Sequence, residues 1–322
     1  MHTGIDRQKR APRLRLTLQC ITLSCLLACA NVLGDQAPDT GSALFWQVFH
    51  KDRLNGYLLG TIHSEDPRVL DFSAALVSAI SACDVYAMEI VPDLPTLSRL
   101  TDYMHYQDGS TLQARVGPGR YAEVQRALAH YPVPQDWKEK MKIWAVMITL
   151  SVPPPQTGFF MDLSLSLRAA GAGLSVTGLE TLEGQLAFLE NMPQAFQLEL
   201  LDQALLEFDR VAATHQQMVD AYLSGDLAAV AGLTGQQFER LSPAIREYFI
   251  DQGITARNRR MVDKLAGLLQ DSCVFTAVGA LHLSGAAGVV ALLRARGYTL
   301  TPSPLPLNGL AELNGPAVEQ PR

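Results

Sequence analysis

The chain has 322 residues, 48% of them hydrophobic and 18% charged, with 24 Gly, 18 Pro and 5 Cys. These proportions exclude a wholly disordered chain, a collagen-like repeat and a disulfide-dense scaffold, and they allow a substantial core. The balance of 26 Lys and Arg against 32 Asp and Glu gives a net charge of −6, which argues against general nucleic-acid binding.

Arg7, Lys9, Arg10, Arg13 and Arg15 precede an uncharged apolar run from Leu16 to Ala30, the pattern of a bacterial export signal over residues 1–30. The run is shorter than the ~20 residues of a membrane-spanning helix, so a permanent anchor is the weaker reading. Two cleavage patterns overlap: Ala28-Cys29-Ala30 suits ordinary signal peptidase, and Leu26-Leu27-Ala28-Cys29 resembles a lipobox. The expectation is an exported protein of a Gram-negative bacterium, periplasmic or held at the outer membrane by lipid on Cys29, touching membrane only through its leader or that lipid. Loss of five basic residues and one acid with the leader moves the charge from −6 to −10. Cys83 and Cys273 then remain, each just before an apolar strand. Two small core residues are favoured there over the disulfide that export permits.

A hairpin is predicted first, with Ala43–Phe49 turning at Asp52–Asn55 and returning as Gly56–Gly60. A helix from Pro67 through Ile80 leads to the apolar strand Val85–Ile90, a parallel unit with a right-handed crossover. Residues 94–155 read as a helical insertion punctuated by Pro118, Pro132, Pro134 and Pro153-Pro154-Pro155, in which Trp137, Met141, Trp144 and Ile148 form a helical stripe. A helix over 162–170 and a strand over 174–178 resume the alternation. A long helix is predicted over 193–224, in a second insertion of about 193–270, with His215 on its apolar face as a packing residue. There follow a helix over 257–269, a strand at 274–278, a helix over 285–296 and an edge strand at 298–301. From Pro302 the tail has five prolines and reads as disordered. The fold class is α/β, a mixed and mainly parallel sheet with flanking helices and helical insertions, in one unit from 42 to 301.

Four predicted strands end in an ionisable side chain: His63, Glu89, Glu180 and His282. Parallel strands bring these to one sheet edge, where open α/β folds keep their functional crevice. Two imidazoles and two carboxylates suit a divalent transition metal (Mn, Fe, Co or Zn) and metal-assisted hydrolysis. Both histidines sit in a Gly-x-x-His sequence, Gly60-Thr61-Ile62-His63 and Gly279-Ala280-Leu281-His282. Glycine there permits a sharp turn or a ligand's close approach.

The ordered set Leu58-Leu59-Gly60-Thr61-Ile62-His63-Ser64, Met88-Glu89, Met161-Asp162, Gly178-Leu179-Glu180-Thr181, Ser224-Gly225-Asp226-Leu227, Arg257-Asn258-x-x-Met261 and Ala277-Val278-Gly279-Ala280-Leu281-His282-Leu283 resembles the TraB/PrgY/GumN family, related to the Tiki membrane metalloproteases. The resemblance implies an α/β fold with a helical insertion and a metal-dependent peptidase mechanism. On matching positions it implies His63, Glu89 and His282 as metal ligands, with Glu89, Glu180 and Arg257 in catalytic roles. Glu180 has the alternative of stabilising the helix that follows it, and Arg257 that of a surface arginine rather than a clamp on a substrate carboxylate or carbonyl. Asp162 reads as a helix-start residue.

Two functions follow as expectations. One is an exported metal-dependent hydrolase acting on a peptide or protein substrate. The other is a non-catalytic periplasmic module that holds a peptide, haem-like or saccharide ligand in the same crevice.

Overall fold

The computed structural model describes residues 42–308; the export signal expected over 1–30 and the tail beyond Asn308 lie outside them. β1 (Phe45–His50) and β2 (Arg53–Thr61) form the expected hairpin. Its turn is tighter than predicted: Lys51 and Asp52, at φ 50° and 64°, close a two-residue loop whose left-handed backbone matches the strand twist. β3 (Val85–Met88), β4 (Ser175–Gly178), β5 (Val274–Gly279) and β6 (Thr299–Ser303) complete one six-stranded sheet. The strand order is β4-β3-β5-β2-β1-β6.

β4, β3, β5 and β2 are parallel neighbours, and β1 and β6 continue the sheet as antiparallel strands. The sheet is thus mixed and mainly parallel, with helices around it. Central β5 is buried along its whole length, which its sequence Val-Phe-Thr-Ala-Val-Gly suits, because a strand covered on both faces needs no polar alternation. Register places Thr61 opposite Gly279, and Met88 opposite both Ala277 and Gly178. The carboxyl ends of the four parallel strands therefore lie level.

Two hydrophobic cores are present among the described residues. The first lies on the sheet and joins Leu58, Tyr86 and Phe275 to Tyr222 and Met261. The second is helical and joins Leu100, Leu112, Trp144 and Leu189 to Phe249. The chain passes between them through Phe249–Thr255, a wide helical segment of π type that runs into the helix Ala256–Asp271. Phe249 belongs to the helical core and Ile254 to the sheet core.

Several predicted elements are divided. The helix over 67–80 is two, Pro67–Leu70 and Ala74–Ser81. Phe72 bridges to Leu307 between them, and Ser73 caps the second by accepting from the Leu76 N–H. The stripe from Trp137 to Ile148 spans two helices, Gln135–Lys138 and Ile143–Leu150. The break lets Met141 bridge to His105. The helix over 193–224 stops at Leu206 and restarts at Val211; Glu207, ion-paired to Arg210 and Arg240, stands at the break.

The tail is ordered farther than expected. Leu305 and Leu307 join the sheet core, and the Ser73 hydroxyl donates to Pro306 O at 2.9 Å. Cys83 and Cys273 form a disulfide, with Cα atoms 4.6 Å apart, where the sequence favoured two unlinked core residues. The cause is the register: Asp84 and Val85 both donate backbone N–H groups to Cys273 O, so the residues entering β3 and β5 are side by side.

Candidate active site

Two of the four strand-end residues, Glu89 and Glu180, meet on an arginine that the helix Ala256–Asp271 supplies, and a third, His282, stands beside Glu89. Arg257, 1% exposed, donates from Nε and Nη2 to Glu180 Oε2 at 2.9 and 2.5 Å, and from Nη2 to Glu89 Oε2 at 2.6 Å. It is therefore not a surface arginine, and its fork holds two carboxylates of the protein. Burial works against its charge, but Glu180 and Glu89 outweigh that and hold Arg257 above the ordinary arginine range. The Glu180 carboxylate turns to Arg257, while the hydrogen-bond cap of the helix Leu182–Glu190 is the Thr181 hydroxyl.

Glu89 accepts two further hydrogen bonds and faces His282. The Gly279 N–H donates to its Oε1 at 2.8 Å and Gln185 Nε2 to its Oε2 at 3.0 Å, while His282 Nε2 stands 3.7 Å from Oε1. The glycine that opens the second Gly-x-x-His thus supplies a backbone donor. The glycine of the first serves packing, since a Cβ on Gly60 would come within 2.8 Å of Leu283 Cδ1 and 3.0 Å of Ala280 Cα. The close approach is that of the turn carrying His282, not of a ligand.

The orientation of His282 follows from its neighbour. Asn258 Nδ2 donates to the carbonyl oxygens of His282 and Ala287, at 3.2 and 2.8 Å, so its Oδ1 is the acceptor facing His282 Nδ1 at 2.5 Å. Nδ1 therefore carries the proton and Nε2 is a lone pair. That Nε2 is fully buried and has no hydrogen-bond partner among the described residues. Burial, aided by Arg257 and opposed by Glu89, pushes the imidazole down to about 4, so it is neutral at pH 7.

A neutral imidazole nitrogen and a carboxylate oxygen facing each other without a shared hydrogen bond form a donor pair that transition ions accept. Among the described residues, however, no three or more His, Cys, Asp or Glu side chains gather as a group able to hold a metal ion. The expected trio of His63, Glu89 and His282 is not assembled as one. His63 leaves the end of β2 on the same sheet edge and stacks on Phe160, ring centroids 3.6 Å apart. Burial and the neighbouring His215 hold it well below the usual histidine range.

His215, read from sequence as a packing residue, faces this region: its Nε2 lies 3.3 Å from Ser64 Oγ, and its own proton affinity is lowered by burial. Asp162 does begin a helix, Met161–Gly171, but its side chain turns to the sheet. Its Oδ1 accepts from Thr61 Oγ1 at 2.6 Å, its Oδ2 is buried without a partner among the described residues, and burial pushes the carboxyl up to about 7. Gln185 and His215 carry no motif, and only a contact map brings them to the edge. Asn258 is visible in the sequence as half of the Arg257-Asn258 pair, one residue apart on one helix.

The chain matches the TraB/PrgY/gumN family over residues 44–302. It is similar to "Metalloprotease TIKI2" of Danio rerio, 24% identical over 77% of this chain and 58% of that protein. It is also similar to "Metalloprotease TIKI1" of Danio rerio, 25% identical over 78% and 62%, and to "Metalloprotease TIKI1" of Homo sapiens, 25% identical over 77% and 60%. It thus spans about three-fifths of the length of these curated relatives. No solved structure matches the chain. With most of its length inside that one match, and the motif residues on a common sheet edge, the chain belongs to the TraB/PrgY/gumN family.

Proposed function

We propose that the protein is a metal-dependent hydrolase acting on peptides. The observation that carries this is the lone pair of His282 Nε2, fixed by Asn258 and turned toward Glu89 in a buried polar cluster. The names of the relatives, metalloproteases, support it.

His282 and Glu89 are the residues that would hold a divalent ion, Mn, Fe, Co or Zn, which when bound polarises a scissile carbonyl. Asn258 keeps His282 in the tautomer that leaves Nε2 open. Arg257 offsets one of the two negative charges of Glu89 and Glu180 and fixes the direction in which Glu89 points. Asp162, whose proton affinity lies near neutrality, is the acid–base group of the edge. His63, buried and neutral, lines the approach.

Elemental analysis of the purified protein, beside a peptide-library digest with each ion added, tests the reading. The expectation is metal-stimulated cleavage that His282→Ala abolishes in a folded protein. Equal cleavage by wild type and variant would overturn it. Ligand retained without turnover would favour the non-catalytic module.

We also propose that the protein works after export, periplasmic or lipid-anchored through Cys29. The basic and apolar leader supports this, as does the Cys83–Cys273 disulfide, which persists in oxidising compartments. The mass of the mature amino terminus distinguishes the two cleavage routes.

A further inference from the structure

The two hydrophobic cores do not close on each other everywhere. Between them lies a cavity of about 370 Å³, within the size range of small-ligand sites, which favour such seams between packed units. Ile62 and Met218 face it from the sheet side; Leu150, Leu200 and Phe238 face it from the helical side. His63, which leaves the end of β2, lies on its wall, so the cavity reaches the sheet edge that carries the candidate active site. The break of the predicted long helix at Glu207 creates it, because the pieces Gln194–Leu206 and Val211–Leu223 become separate walls.

We propose that this cavity binds the apolar residues of a peptide next to the bond that is hydrolysed, which rests on the hydrolase reading and names its substrate class. Three features select that occupant. The aliphatic and aromatic walls demand an uncharged, apolar filling, and flexible methionines such as Met218 adapt to side chains of differing shape. The charged residues Glu207, Arg210 and Arg240 also line it, and Glu207 is already paired to both arginines. Gln203, Gln217, Gln236 and Gln237 line the same space, and side-chain amides, which both donate and accept, match peptide groups. A bare acyl chain would leave those amides unanswered.

The test is calorimetric titration of the full chain with acetyl-Met-Leu-Phe-amide, acetyl-Gly-Gly-Gly-amide and dodecanoate. Ala204→Trp fills the cavity from one wall and Thr214→Trp from another. Leu206→Trp, on an exposed position of the same helix as Ala204, is the control. The expected result is binding of the apolar tripeptide at least tenfold tighter than triglycine, lost at least tenfold in either filled variant and retained in the control. Failure to bind the tripeptide, indifference to both filled variants once folded, or preference for dodecanoate would overturn the proposal. Tripeptide binding with no hydrolysis of any peptide would leave the pocket standing and overturn the hydrolase instead. Hydrolysis indifferent to the filled variants would do the reverse.

Discussion

Asn258 acts on the site through one oxygen. With both carbonyl partners on its Nδ2, Oδ1 is what faces the His282 ring, and the proton on Nδ1 leaves Nε2 as the lone pair. Asn258→Ala removes that instruction without touching Nε2. Groups that orient a metal-ligating histidine typically change metal affinity or activity by about 10–100-fold, and that loss is expected here. Nitrogen NMR of the imidazole should show the Nε2–H tautomer gaining population; an unchanged tautomer would refute the argument. Arg257 acts by charge. Arg257→Met strands Glu89 and Glu180 in the interior, and breaking a buried ion pair from one side typically costs ~3–5 kcal/mol, to be read in denaturant unfolding. Asp162 gives a pH signature. Its folded proton affinity of about 7 lies above the usual carboxylate value of 3.8, so its contribution to stability is full below the unfolded value and is lost as pH rises toward 7. His282 works oppositely: lowered to about 4 from 6.5, its contribution is present above 6.5 and is lost as pH falls. Asp162→Asn should therefore gain on wild type between pH 5 and pH 8, by an amount on the order of a few kcal/mol. A gap that is the same at both pH values would exclude the carboxyl as its source.

At the scale of elements, the four parallel strands and the edge they share were legible, because each is a short apolar run leading into a Glu or a Gly-x-x-His. Where helices break was less legible, since periodicity continues across a break when both pieces bury the same face. Trp144 and Met141 fit one stripe yet belong to different segments. Likewise His215 fits the stripe of a packing helix, and only the restart at Val211 turns it toward Ser64. The proline-rich stretch before Phe160 shows a further device. Glu65 accepts from the backbone N–H groups of Gln156, Thr157 and Gly158 and from the Thr157 hydroxyl. One carboxylate thus anchors the loop whose end stacks on His63. Hydrogen bonds to a charged group contribute about 1.5–3 kcal/mol when formed, and this set is part-exposed, so its value lies low in that range. Glu65→Ala should speed amide exchange at Thr157 and Gly158 while leaving β5 protected. Unchanged exchange in the loop would mean that the prolines alone hold it.

The whole molecule is two cores joined at a seam, and the disulfide ties only one of them. Cys83 and Cys273 are 190 residues apart in sequence, and the chain between them includes the entire helical core. In the unfolded state the crosslink closes a very long loop, which in the chain-entropy model stabilises the fold by about 5 kcal/mol. Sequence alone leaves the connectivity open, because two cysteines before two strands are equally consistent with core packing, and only the adjacency of β3 and β5 brings them together. The sheet core should feel the loss first, since the bond sits where both strands enter it. Cys83→Ala/Cys273→Ala is therefore expected to lower the denaturant midpoint of the oxidised protein and to match wild type treated with reductant. Hydrogen exchange should rise at Tyr86 and Phe275 before it rises at Trp144. If the helical core opened first, or if reduction left the midpoint unchanged, the crosslink would not be what holds the parallel strands, and with them Glu89 and His282, in register.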